Sequence, residues 1–182
     1  MGLVLLELTL RIEETFAIQI PDNVAYTLTT PGKVTDYILT QVGESQVSLP
    51  CLSQSAFLLV RRAFIERLSL PRQQLRLNTA LEEILPKTNR ADVWKDIGLS
   101  IGVKNWPTMS RPKWMPLIPA TVESIRDLVE YLVTNEPLAV KGDESEWSRA
   151  QVSNVLRRVI IKETLVDDFS EDSRFVEDMR LS

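Results

Sequence analysis

Two apolar helical stripes without an evident local partner stand near opposite ends of this chain. From Leu3 to Phe16, Val4, Leu8, Ile12 and Phe16 fall four apart, with Leu5 and Leu6 widening the face. That spacing predicts an amphipathic helix. Near the other end, Val152, Val155, Leu156, Val159 and Ile160 predict a second one, opened by Ser148 and Gln151 in the capping-box pattern. Neither stripe can be left facing water.

Between them the pattern is again helical. Pro21-Asp22-Asn23 breaks the first helix, and a short turn is expected through Val24 to Leu28. Thr30 reads as an N-cap with Pro31 in the first helical position, opening a helix through Val34, Tyr37, Ile38 and Leu39 that Gly43 stops. After a polar linker from Gly43 to Pro50, a helix is expected from about Ser55 to Leu68, with Phe57, Val60, Phe64 and Leu68 inward. Thr79 with Glu82 predicts a capping box for a short turn holding Leu81, Ile84 and Leu85. Arg90 to Ile101 predicts a helix with Trp94, Ile97 and Ile101 inward, and the four prolines between Trp106 and Pro119 predict a loop pinned by its tryptophans. Thr121 is expected to cap a helix carrying Val122, Ile125, Leu128, Val129 and Leu132, followed by a second linker from Asn135 to Glu144. No segment reads as a strand, so the fold class is all-α.

The helices repeat. Thr30, Val34, Asp36 and Ile38 recur at one constant separation as Thr121, Ile125, Asp127 and Val129. Val60-Arg61-Arg62 followed by Phe64-Ile65 resembles Leu156-Arg157-Arg158 followed by Ile160-Ile161, and Asn78-Thr79 with Leu81 echoes Asp172-Ser173 with Phe175. The same order with a drift of a few residues is the mark of a duplicated unit with loop insertions. The middle of the chain then contains all four helices of one unit. Residues 1–43 contain the second to fourth of another, and its first helix is found only at the C-terminal end. A piece about 40 residues long seldom forms a core alone, so the two ends are expected to complete each other. The domains are accordingly 1–43 plus 145–182, a discontinuous bundle, and 53–138, an inserted bundle. The closure occurs within one chain or between two as a domain-swapped homodimer; a C-terminal helix lying on the middle bundle is the simpler alternative.

Composition removes several functions. The chain contains no histidine, which excludes Ser-His-Asp and Cys-His catalysis and the commonest zinc ligand. Its single cysteine, Cys51, excludes an intrachain disulfide, and no nearby base or cation gives its thiol a role. Six glycines form no phosphate-binding loop, and a net charge of -4 argues against nucleic acid. The first twelve residues are apolar but lack a basic start and are interrupted by Glu7, so they read as helix and not as a secretory signal. No run reaches the roughly 18 apolar residues of a membrane span. The expectation is a cytoplasmic protein that is not an enzyme, with no metal.

The repeat carries a resemblance. Glu7-Leu8, Glu13-Glu14, Phe16, Ile18 and Ile20-Pro21-Asp22, then Thr30-Pro31-Gly32 and Asp36-Tyr37-Ile38, resemble the second to fourth helices of the acyl carrier protein family. Asp172-Ser173, Phe175-Val176-Glu177-Asp178 and Met179 resemble the segment before that family's second helix. Together these cover nearly a whole carrier protein in permuted order, while the middle unit is more divergent. The resemblance implies two four-helix bundles and, in the family, a phosphopantetheine arm on the serine of an Asp-Ser-Leu motif. Here that position falls on Gly2, which has no hydroxyl, and the middle unit has Lys87-Thr88-Asn89-Arg90 instead. The expectation is therefore no cofactor and a binding or scaffold module. The alternative is a genuine acyl or peptidyl carrier with 4'-phosphopantetheine on Ser182.

Family members are recognised through acidic residues of the second helix, so the resemblance makes Glu7, Glu13 and Glu14 the candidate contacts for a protein partner, an acyl-metabolism enzyme being the class implied. Arg61, Arg62, Arg67, Arg157 and Arg158 could face an acidic partner, although basic residues on an outer face more often only solvate it. Trp94, Trp106 and Trp114 could line an apolar pocket, against the simpler reading of an aromatic core.

Overall fold

The protein is described by a computed structural model, which covers residues 2–45, 49–109, 122–142 and 146–181. Among these residues the chain is helical, with isolated bridge pairs and no strand. In chain order the helices are α1 (Leu3–Phe16), α2 (Asp22–Ala25), α3 (Pro31–Val42), α4 (Leu52–Leu68), α5 (Leu81–Ile84), α6 (Arg90–Ile101), α7 (Ile125–Asn135), α8 (Pro137–Lys141) and α9 (Arg149–Thr164). The chain divides into two compact units, Met1–Pro50 with Asp143–Ser182, and Cys51–Gly142. No helix among the described residues is long and apolar enough to cross a membrane.

In the first unit, α9 packs on both α1 and α3. Leu8, Ile12 and Phe16 of α1, Ile38 of α3, and Val155, Leu156, Val159 and Ile160 of α9 are buried. Each such side chain contributes roughly 1.5–3 kcal/mol of burial. Thr30 caps α3, its hydroxyl accepting from the Lys33 amide, and Ser148 and Gln151 form the expected reciprocal box on α9. At the base, Ser45 N donates to Trp147 O at 2.9 Å and Trp147 N to Gly43 O at 3.0 Å. The Trp147 ring meets Phe16 edge-on at 5.4 Å. The segment after α9 lies across the start of α3, where Gly32 N donates to Glu171 O at 2.8 Å and Phe175 N to Thr29 O at 3.1 Å. A Cβ on Gly32 would stand 3.0 Å from that Glu171 oxygen, so glycine permits the close approach.

Several boundaries differ from the sequence reading. The turn expected at Val24 to Leu28 is α2, which starts directly after Pro21 because Asp22 can occupy its first turn. α4 begins at Leu52, not Ser55, since its buried stripe is Leu52, Ala56, Val60, Ala63 and Phe64, two of them alanines that a hydrophobic count passes over. Phe57 and Leu68 are only half-buried. On α1, Leu6 is exposed and does not widen the core face. It lies roughly 120–160° around the helix from Leu8 and Ile12.

In the second unit, α4 packs on α6, α7 and α8. Thr79 does not cap α5. The N-cap is Ala80, and the Thr79 hydroxyl instead donates to Gln74 O at 2.8 Å and accepts from Arg76 N at 3.0 Å. Thr121 lies outside the described residues, and the cap of α7 is Ser124 in a capping box with Asp127. The segment read as a linker from Asn135 holds α8, with Pro137 in its first position and Val140 buried. The buried Glu136 carboxylate accepts from Asn105 N and Nδ2, both at 2.9 Å, and from Lys104 N at 3.4 Å, fixing the chain after α6.

Candidate functional site

The sequence-predicted acids lie on α1, and its geometry separates them. Glu13 is half-buried, and its Oε1 accepts from Ile20 N at 2.6 Å across the turn that Ala17 makes in the left-handed region. That carboxylate closes the end of α1, which assigns it to the fold. Glu14 is exposed and takes an ion pair from Arg11 at 3.0 Å, while Arg11 also reaches Glu163 of α9 at 3.4 Å. Glu7 is exposed on the same side of α1 as Glu14.

Beside these acids runs a feature the sequence reading did not isolate. Leu3, Leu6 and Leu10 are 69%, 44% and 51% exposed. Spaced i, i+3 and i+7, they form one stripe on the face of α1 turned away from its own core. The signal was present in the sequence, because Leu3, Leu6 and Leu10 fall outside the arc defined by Leu8, Ile12 and Phe16. Single exposed leucines are ordinary, but an aligned set edged by carboxylates suits association with another macromolecule.

On the inner side of α1, the first unit contains an apolar cleft of about 200 Å³. Leu8, Ile12 and Ile20 line it with Leu28, Val34 and Phe175, and Tyr26, Val176 and Glu177 stand at its edge. Engineered dry cavities of about 150 Å³ hold a benzene-sized molecule, so this cleft has room for a short apolar group.

Three of the five basic candidates, Arg61, Arg157 and Arg158, are occupied within the fold. Arg61 donates to Leu75 O at 3.3 Å and lies 4.2 Å over the Phe57 ring. Arg157 donates to Phe169 O at 2.8 Å and lies 4.5 Å over the Phe169 ring. Both tie a helix to the loop that follows it. Arg158 donates to Asn154 at 3.0 Å, whereas Arg62 and Arg67 are exposed. Trp94 and Trp106 face each other at 4.7 Å, and Trp94 Nε1 donates to Pro107 O at 2.7 Å, so these two rings fill space against α6. Trp114 and Ser182 lie outside the described residues. Cys51 is exposed at the start of α4. Gly2 is the N-cap of α1 and brings no side chain to it.

A polar cluster fastens α3, α9 and the following segment together. Arg149 pairs with Asp36 and with Glu171 at 3.1 Å, and Ser153 Oγ donates to Glu171 at 2.8 Å. The Ser153 hydrogen bond first, and Arg149 second, hold the Glu171 carboxyl below the usual glutamate range. Among the described residues no three acidic or cysteine side chains gather as a metal site would require. Comparison with protein-family models, with curated proteins and with solved structures yields no match.

Proposed function

We propose that the chain is a non-catalytic, acyl-carrier-like helical module without a phosphopantetheine arm, and that it binds a protein partner through the outer face of α1. The observation that carries this reading is the exposed stripe of Leu3, Leu6 and Leu10 with Glu7 and Glu14 beside it. A complementary surface presents an apolar groove edged by lysine or arginine. Full coverage of an exposed leucine contributes about 1.5–3 kcal/mol, and peripheral charge pairs set orientation and association rate more than affinity. The packing of α9 on α1 and α3 supports the permuted arrangement. The duplication is supported by Arg61 and Arg157, which come from the repeated Arg-Arg pairs and perform the same helix-to-loop task in their respective units.

The test is affinity capture with the full chain, comparing wild type with Leu6→Ser/Leu10→Ser and with Glu7→Lys/Glu14→Lys. Both variants are expected to lose the same retained protein while their helical content is unchanged. Retention of that protein by both would reject the docking face.

A second reading, a genuine carrier loaded on Ser182, is favoured by one observation, the apolar cleft beside α1. Co-expression with a phosphopantetheinyl transferase and intact-mass measurement separates the two readings. A phosphopantetheine adduct on Ser182 establishes the carrier, and an unmodified mass retains the arm-less module.

A further inference from the structure

Residues 165–181 follow α9 as turns and extended chain, and they wall the apolar cleft beside α1 with Phe175, Val176 and Glu177. We infer that this segment is a hinged strap, and that its release from α3 and α9 opens the cleft to a neutral apolar molecule of benzene size.

The fastenings of the strap are polar and stand near solvent. Two backbone bonds join it to the start of α3, from Gly32 N to Glu171 O and from Phe175 N to Thr29 O. Side chains of α9 add Arg149 and Ser153 on the Glu171 carboxylate, and Arg157 on the carbonyls of Asp167 and Phe169. Exposed pairs of this kind hold weakly one by one. Of the described residues 165–174, none is buried. Burial begins at Phe175 and continues at Met179 and Leu181, so Phe175 is the plug that keeps the closed form dominant.

Both ends of the strap carry strain. Leu165 and Arg180 have φ of 59° and 57°, in the left-handed region that residues with a side chain seldom adopt. The Leu165 side chain is 87% exposed, so its own packing does not hold that conformation. Release lets both residues return to ordinary backbone angles, which offsets part of the lost contacts. Charge acts in the same direction. Asp167, Asp168, Glu171, Asp172, Glu177 and Asp178 outnumber Arg174 and Arg180, and their mutual repulsion is countered by Arg149 and Arg157 while the strap is closed. The core beneath does not depend on the strap, since α9 packs directly on α1 and α3. Release requires neither a docked partner nor a phosphopantetheine arm.

Amide hydrogen exchange of the full chain tests the release. Gly32 and Phe175 amides bond across the strap and are expected to exchange many times faster than the helical amides of Leu39 and Val155, through local opening. Arg149→Ala should accelerate Gly32 and Phe175 severalfold, and Arg149→Lys should do so less. Ile38→Val, in the core, should accelerate Leu39 and Val155 and leave Gly32 and Phe175 unchanged. Exchange of Gly32 and Phe175 at the rate of Leu39 and Val155, or acceleration of all four by Ile38→Val, would overturn the strap. Fluorobenzene, followed by fluorine NMR, reads access to the cleft. It is expected to bind, and to leave the Arg149→Ala variant severalfold faster than wild type or Ile38→Val. No binding, or a release rate that Arg149→Ala does not change, would overturn gating of the cleft.

Discussion

Replacing Gly98 by alanine sets two opposing effects against each other within one methyl group. Gly98 is buried in α6, and a Cβ built there would stand 2.6 Å from both Cγ and Cδ2 of Trp106 and 3.0 Å from Cδ1. Alanine in a helix interior gains about 1 kcal/mol over glycine. The indole is rigid, so relief requires moving the whole ring, and overpacking of this kind costs about 1–3 kcal/mol. Displacing Trp106 also weakens its contact with Trp94 at 4.7 Å, a further ~0.5–1.5 kcal/mol. The expected result for Gly98→Ala is thus a net loss of about 0.5–3.5 kcal/mol, opposite in sign to helix propensity alone. Urea denaturation followed by circular dichroism and tryptophan fluorescence reads it, together with Trp106→Ala and the double variant. Once Trp106 is gone the clash is gone, so Gly98→Ala should stabilise the Trp106→Ala background by about 1 kcal/mol. A stabilising Gly98→Ala in the wild-type background, or an equal loss in both backgrounds, would refute the steric argument.

Three other outcomes follow from the geometry. Ser148→Ala and Ser124→Ala should each cost about 0.5–2 kcal/mol in thermal or urea unfolding by removing an observed cap; Thr79→Ala should leave the helicity of α5 unchanged, because Thr79 caps nothing there. Since the folded Glu171 carboxyl titrates below its ordinary range, its contribution is complete above the unfolded glutamate value of about 4.3 and fades as pH falls through the lower folded value. Glu171→Gln should therefore flatten the acid limb of a stability-against-pH curve, and an unchanged limb counts against the Ser153 and Arg149 contacts. Ending the chain after Gly142 removes α9 from α1 and α3; amide hydrogen exchange should then accelerate across residues 3–42 while α4, α6 and α7 keep their protection.

What could be read from the sequence followed local rules. The limits of α1 and α6 follow from apolar spacing, the cap at Thr30 from a hydroxyl residue followed by Pro31, and the cap at Ser148 from its capping-box pairing with Gln151. Where two capping signals stand close together, the second one caps the helix. Thr121 with Val122 gave an early start to α7, although Ser124 and Asp127 carry the same capping signal three residues later. α8 is not legible in the sequence because five residues are too few to show a helical period and its opening proline resembles a linker. The acids of α1 could be located but not sorted. That Glu13 serves the Ile20 amide depends on how the chain turns at Ala17, which no spacing rule contains. The leucine stripe was hidden by its own neighbours, since Leu5 and Leu6 adjoin in sequence while only Leu5 faces the cleft.

The first unit also imposes an order on synthesis. When α1 and α3 leave the ribosome, the helix that covers them has not yet been made, and the whole of Cys51–Gly142 must be translated first. At about 5–20 residues per second, a hundred intervening residues leave Leu8, Ile12 and Ile38 uncovered for roughly 5–20 s. The second unit lacks no segment during that interval and can condense while the N-terminal helices wait. The nascent chain thus displays sticky helices ahead of the second unit for seconds, a natural target for the holding chaperones that meet emerging polypeptides.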